Sequence, residues 1–159
     1  MDHKNIVINY EEYKSNDGLP KEDAELLAMA ENAADGAYAP YSQFKVGAAV
    51  RLKNGKTVSA SNQENAAYPS GLCAERVALF YAHARYPGES VVSIAITAKV
   101  NGVVCKMPTS PCGACRQVMA ESEERGGEKI RIIIGGSDVT QVVISTESLL
   151  PFIFNNLPK

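Results

Sequence analysis

The sequence contains no apolar run approaching the roughly 18 residues that a membrane-spanning helix requires, and its N-terminus lacks the apolar core of a secretory signal. It also lacks a dominant charge. Sixteen basic side chains stand against 18 acidic ones, leaving a formal charge of −2, so nothing pulls the chain as a whole toward nucleic acid or an anionic membrane. No stripe of aromatic and basic residues offers a track for a single strand, and there is no repeat, linker or low-complexity segment. Histidine is scarce: of the two present, His3 lies in the N-terminal tail, and His83 stands roughly 12 Å along a helix from Glu75, too far to share one ion with it. The expectation is a cytoplasmic protein with reduced thiols. There its four cysteines point to a metal or redox site sooner than to structural disulfides.

With 159 residues, 45% hydrophobic and 21% charged, the chain is long enough for one domain with a hydrophobic core. Residues 1–20 read as a polar extension in which Ile6, Val7 and Ile8 form a candidate edge strand, and Asn16-Asp17-Gly18 turns the chain. Residues 21–159 read as the folded domain. A helix is predicted from Pro20 toward Gly36, and strands over 46–52 and 57–60 flank the hairpin signal Asn54-Gly55. In the first of these strands Gly47-Ala48-Ala49 leaves room for a close ligand or for a packed helix. After a polar loop over 62–71, a helix is predicted from Cys73 to Tyr86, strands over 91–100 and 103–106, and a second helix from Cys112 to about Glu124. Strands over 130–134 and 141–144 and a short helix over 145–150 complete the chain. Strands alternating with helices predict a single α/β domain with a mixed sheet.

The chemistry concentrates in Cys73-Ala74-Glu75-Arg76 and Pro111-Cys112-Gly113-Ala114-Cys115. Cys112 and Cys115, three apart on the first turn of a helix, turn their sulfurs the same way, and Cys73 is a third candidate ligand. Three protein ligands and one open position describe a catalytic zinc site, whereas a structural site is closed by four. Both predicted helices start at a cysteine, where free N–H groups and the helix dipole favour a thiolate. Three thiolates on one Zn²⁺ sum to −1, and Arg76 is placed to withdraw charge from the sulfurs; its alternative is a surface ion pair. Glu75, close to the metal without binding it, is placed to move protons for a metal-activated water. Other readings stay open here: a redox Cys112–Cys115 pair, a closed structural zinc with Cys105 as fourth ligand, or unrelated core cysteines.

Four stretches together resemble the small homotetrameric cytidine deaminases of the cytidine/deoxycytidylate deaminase superfamily. They are Pro40-Tyr41-Ser42-Gln43-Phe44-Lys45-Val46-Gly47-Ala48-Ala49, Asn62-Gln63-Glu64-Asn65-Ala66-Ala67-Tyr68-Pro69, Cys73-Ala74-Glu75-Arg76 and Ser110-Pro111-Cys112-Gly113-Ala114-Cys115-Arg116-Gln117, in family order and spacing over about residues 24–154. The resemblance implies a three-layer α/β/α domain around a mixed, about five-stranded sheet, with residues 21–159 as the catalytic domain. It implies one Zn²⁺ per subunit on Cys73, Cys112 and Cys115, and Glu75 as proton shuttle. Asn62 and Glu64 would hold the ribose hydroxyls, Phe44 would lie against the nucleoside, and the main-chain N–H of Ala74 would fix the carbonyl edge of the base. Ala66 and Tyr68 would reach the ligand through a neighbouring subunit's site. An aromatic after Leu149-Leu150-Pro151 would pack on the pyrimidine from another subunit. By spacing that residue is Phe154, although Phe152 stands where the family commonly has a small residue.

The activity implied is hydrolysis of cytidine and 2′-deoxycytidine to the uridines, in pyrimidine salvage. A zinc-activated hydroxide attacks C4, and Glu75 delivers the proton to N3 and then to the departing amine. A free nucleoside is expected over a polynucleotide because the Glu64 carboxylate would repel a phosphate on the ribose; the alternative for Asn62 and Glu64, without the resemblance, is simple loop hydrogen bonding. A nucleic-acid-editing deaminase, a non-catalytic zinc module and a deaminase for a cytosine-bearing antibiotic are the competing readings.

Overall fold

The computed structural model describes residues 1–155. The elements run β1 (Glu11–Lys14), α1 (Lys21–Ala34), β2 (Phe44–Leu52), β3 (Thr57–Ser61), α2 (Ala74–Arg85), β4 (Val91–Val100), β5 (Val103–Val104), α3 (Gly113–Gly126), β6 (Arg131–Gly135) and β7 (Val139–Ile144), with short 3₁₀ turns at Tyr68–Ser70 and Thr146–Ser148. The strands form one sheet in the order β1-β7-β6-β4-β2-β3, with β5 paired to β4. Only β4 and β6 are parallel, and α3 lies in the connection between them. The sheet is therefore mixed, as expected, but has seven strands in place of about five.

Alternation along the strands divides the core. Ala48, Val50, Ile94, Ile96, Ile132 and Ile134 face the layer of α2 and α3, packing on Ala78, Leu79, Ala82, Cys115 and Met119. Their neighbours Ala49, Ala95, Ile133 and Val142 face the opposite side, against Leu26, Leu27 and Ala30 of α1. These are the three layers of an α/β/α domain. The small residues of β2 serve helix packing: a Cβ added at Gly47 would lie 1.9 Å from the Ala30 carbonyl oxygen.

The edge strand does not fall on Ile6-Val7-Ile8, which are exposed and outside any strand. It falls on Glu11–Lys14, antiparallel to β7. Branched side chains favour a strand only where a partner fits them, and here polar groups select the register. The Arg131 guanidinium donates to Glu11 at 2.9 Å, the Gln141 amide to Glu12 at 3.0 Å and the Thr140 hydroxyl to Asn16 at 2.9 Å. Tyr13 alone of this strand packs against the α1-side core.

Candidate active site

The three sulfurs meet where the N-termini of α2 and α3 converge. Cys73 is the residue capping α2 and Cys112 the one capping α3, both in extended backbone, while Cys115 lies one turn into α3. The separations are 3.9 Å for Cys73–Cys112 and 3.5 Å for Cys112–Cys115, and all three sulfurs lie within 4.8 Å of one another. A tetrahedral ion about 2.3 Å from each sulfur sets neighbouring sulfurs about 3.8 Å apart, so the donor set fits zinc in size and in chemistry. All four cysteines are free thiols. Among the described residues this is the one cluster of metal-ligating side chains, and Cys105 is not in it. Instead, the main chain of Cys105 bonds to Ala98 and Ser137. The fourth corner of the site is thus not filled by protein sulfur.

The local electrostatics favour thiolate at Cys73. Hydrogen bonding from the Cys115 thiol, reinforced by Arg76 and Cys112 and opposed by burial, lowers the Cys73 pKa to about 5. Cys115, which gives that bond and is itself buried, is pushed up. Arg76 Nη2 donates to Cys73 Sγ at 3.5 Å, so it reaches back to the sulfurs and does not form a surface ion pair. One residue before it, Glu75 sits in the first turn of α2, only 4% exposed and in none of the ion pairs among the described residues. Burial raises its carboxyl pKa, suiting it to hold a proton and release it.

Beside Cys73 lies a cavity of about 470 Å³, a volume within the range of small-molecule sites; Cys112, Cys115 and Glu75 are not among the residues that line it. Cys73, Arg76, Asn62, Glu64 and Tyr68 line it, together with Tyr41 and Ser42. Glu64 Oε2 accepts the N–H groups of Tyr41 at 2.9 Å and Ser42 at 3.2 Å. The Ser42 hydroxyl and these two N–H groups hold the Glu64 carboxyl below the usual carboxylate range, so it is ionised at neutral pH. Asn62 spans the strands: its Oδ1 accepts Val46 N–H at 2.8 Å and its Nδ2 donates to the Phe44 carbonyl at 3.0 Å. One amide hydrogen and one lone pair are left for a ligand. Ala74 is the first residue of α2, where an N–H has no acceptor within the helix.

Phe44, Ala66 and Phe154 do not line this cavity. Phe44 opens β2 half-buried, Ala66 is in the exposed loop, and Phe154 lies near α3, 70% exposed. Sequence reasoning gave no role to the main-chain grip of Tyr41 and Ser42 on Glu64, because a contact across 23 residues through backbone N–H groups has no side-chain signature. It also assigned nothing to Arg116 and Gln117, although both stand in the stretch that carries Cys112 and Cys115.

Residues 20–126 match the family described as Cytidine and deoxycytidylate deaminase zinc-binding region. Among relatives, a cytidine deaminase of Halalkalibacterium halodurans is 49% identical over 96 residues, 60% of this chain and 68% of that protein. One from Mycobacterium tuberculosis is 36% identical over 115 residues, 72% of this chain and 80% of that protein. The crystal structure of cytidine deaminase from Burkholderia pseudomallei superposes with a TM-score of 0.69 at 42% identity, covering 82% of this chain and 97% of that one.

Proposed function

The chain belongs to the cytidine and deoxycytidylate deaminase family and binds zinc through Cys73, Cys112 and Cys115, and on that premise we propose that it hydrolyses cytidine and 2′-deoxycytidine to uridine and 2′-deoxyuridine, releasing ammonia. The observation that carries this reading is the pairing of a three-sulfur site with a buried carboxyl two residues from one of its ligands. Zinc, when bound, supplies the Lewis acidity that brings a water's pKa toward neutrality.

The rest is work for side chains and backbone. Glu75 takes a proton from the water as its oxygen bonds to C4 of the cytosine, and places that proton on N3. It then carries the water's second proton to the amino group as the C4–N4 bond breaks and ammonia leaves. Its burial supports this alternation, since desolvation raises the carboxyl pKa and so makes the group a better proton acceptor than an exposed carboxylate. The Ala74 N–H orients the carbonyl edge of the base. Asn62 and Glu64 hold the ribose hydroxyls, and Phe44 backs the nucleoside. The ionised Glu64 repels a phosphate at the ribose and so favours the free nucleoside over an oligonucleotide.

We further read the working form as a homotetramer in which Ala66, Tyr68 and Phe154 complete neighbouring sites; the exposure of all three in the single chain is compatible with that assignment. Residues 21–159 are read as the catalytic domain and 1–20 as an extension. No helix among the described residues is long and apolar enough to cross a membrane, which accords with the cytoplasmic location we propose.

The test is turnover by the purified, zinc-loaded protein, followed by the loss of cytosine absorbance, with cytidine, deoxycytidine and a cytosine-containing oligonucleotide compared. Turnover of both nucleosides with little on the oligonucleotide is expected. Equal rates on all three would remove the argument from Glu64, and no turnover of any would leave a zinc-binding module.

A further inference from the structure

The end of the described chain is tied to α3, the helix that carries two of the three zinc ligands. Arg116 makes two bonds of 2.8 Å: Nε donates to the Pro111 carbonyl, on the turn leading into Cys112, and Nη1 donates to the Leu149 carbonyl. One residue further on, Gln117 closes a two-way grip on Phe154. Its Nε2 donates to the Phe154 carbonyl at 2.8 Å, and its Oε1 accepts the Phe154 N–H at 3.3 Å. A primary amide offers a donor and an acceptor side by side, as a strand backbone does, so Gln117 acts as one rung of a ladder for the departing chain.

The grip separates the two phenylalanines. Both rings are exposed, Phe152 at 84% and Phe154 at 70%. Only Phe154 has its backbone held at both polar groups; among the described residues no hydrogen bond holds Phe152. A ring meant to meet a ligand outside its own chain gains from a backbone ordered beforehand, because the ligand then does not have to order it.

We infer that Gln117 is a positioning residue for the deamination: by gripping Phe154 at N–H and C=O it aims that ring, and not Phe152, at the nucleoside in a neighbouring copy's cavity. This rests on the reading above that Phe154 contacts the base in trans. Arg116 sets the root of the same segment and couples it to the metal turn.

The experiment compares Q117A, F154A, F152A and Q117A/F154A with the wild type, all zinc-loaded. Zinc content, kcat, KM for cytidine and the rate of chymotrypsin cleavage after Phe154 are measured. Loss of the two-way grip raises KM about tenfold in Q117A with kcat and zinc held within about twofold. F154A gives a similar rise, the double variant is no worse than F154A alone, and F152A matches the wild type. Chymotrypsin cuts Q117A faster. A raised KM in F154A beside an unchanged KM in Q117A would overturn the positioning role alone. An unchanged KM in F154A would overturn the underlying contact, and this inference with it. Loss of zinc or kcat in Q117A with KM unmoved would make Gln117 a support of the metal turn and also overturn the proposal.

Discussion

At Gly47 the backbone of α1 lies directly against the sheet, and Gly47→Ala tests how tightly that contact holds β2. A Cβ there would stand 1.9 Å from the Ala30 carbonyl oxygen and 2.6 Å from the Ala34 nitrogen, both backbone atoms of α1. Neither can swing aside as a side chain would. Ordinary contact requires α1 to withdraw by about 1.5 Å, which opens space around Leu26, Leu27 and Ala30 on the small residues Ala49 and Ala95. Overpacking of this kind costs about 1–3 kcal/mol. At this chain length a loss of about 2 kcal/mol lowers Tm by about 4–8 °C. The strand that loses this support, β2, begins at Phe44 and carries the two backbone bonds of Asn62, so KM for cytidine should rise along with the instability. Gly88→Ala is the control: nothing lies within 4 Å of its added Cβ, and a surface change of this sort stays within about 0.5 kcal/mol. Thermal melts of both variants by circular dichroism decide the matter. A G47A protein melting with the wild type would refute the account of how α1 seats on β2.

Glu75→Gln keeps the size of the side chain and removes the proton shuttle we propose, so cytidine turnover should fall by about 10²- to 10⁴-fold while zinc content stays at the wild-type level; normal turnover would eliminate the role given to this carboxyl. Cys115→Ser should purify largely without zinc, whereas Cys105→Ser should retain it, because Cys105 stands outside the sulfur cluster. Metal analysis of the two proteins checks this, and loss of zinc from the Cys105 variant would revive a four-cysteine site. The Glu11 carboxyl is held below its ordinary range, chiefly by the bond from Arg131 and then by the Tyr13 hydroxyl. A lowered folded-state pKa means that its stabilising effect is complete above the unfolded carboxylate pKa and is lost as pH falls through the folded one. Glu11→Gln should therefore melt slightly lower at pH 7, with an exposed pair contributing less than about 1 kcal/mol, and the gap should close as pH falls from the ordinary carboxylate range through the lowered folded-state pKa. A gap that widens in acid contradicts the pairing.

The metal site was readable because its chemistry is local. Cys112 and Cys115 sit within one helical turn, and Glu75 and Arg76 stand two and three residues after Cys73, so sequence spacing already fixes most of the relative geometry. What brings the two clusters together, the shared layer of α2 and α3 on Ile94, Ile96, Ile132 and Ile134, follows from alternation along the strands. The features that escaped are those in which backbone meets a distant residue. The register of β1 is chosen by Arg131 and Gln141, more than a hundred residues away, and not by the branched triplet Ile6-Val7-Ile8. Gly47 reads equally as ligand clearance or helix clearance until Ala30 is seen above it. Gln117 and Phe154 meet across 37 residues through main-chain atoms that any residue at 154 would offer.

These long-range ties also explain how the site holds its charge. Three thiolates on a divalent ion leave a net negative charge, which weakens the ion as an acid and discourages a second anion nearby, yet Glu75 is buried beside them. The offset comes from two sources that the fold supplies together. Cys73 and Cys112 each terminate a helix at its positive end, and Arg76 brings a full charge to Cys73 at 3.5 Å. Each source depends on α2 and α3 pointing their N-termini at one spot, which the parallel pair β4 and β6 permits by returning α3 over the same face as α2. The other wall of the cavity follows the β2–β3 pair, where Asn62 and Glu64 are fixed by backbone N–H and C=O groups of residues 41–46. The metal cluster and the sugar contacts we propose are thus built on different parts of the fold, and Cys73, at the end of the loop from Asn62 to the start of α2, is where they join.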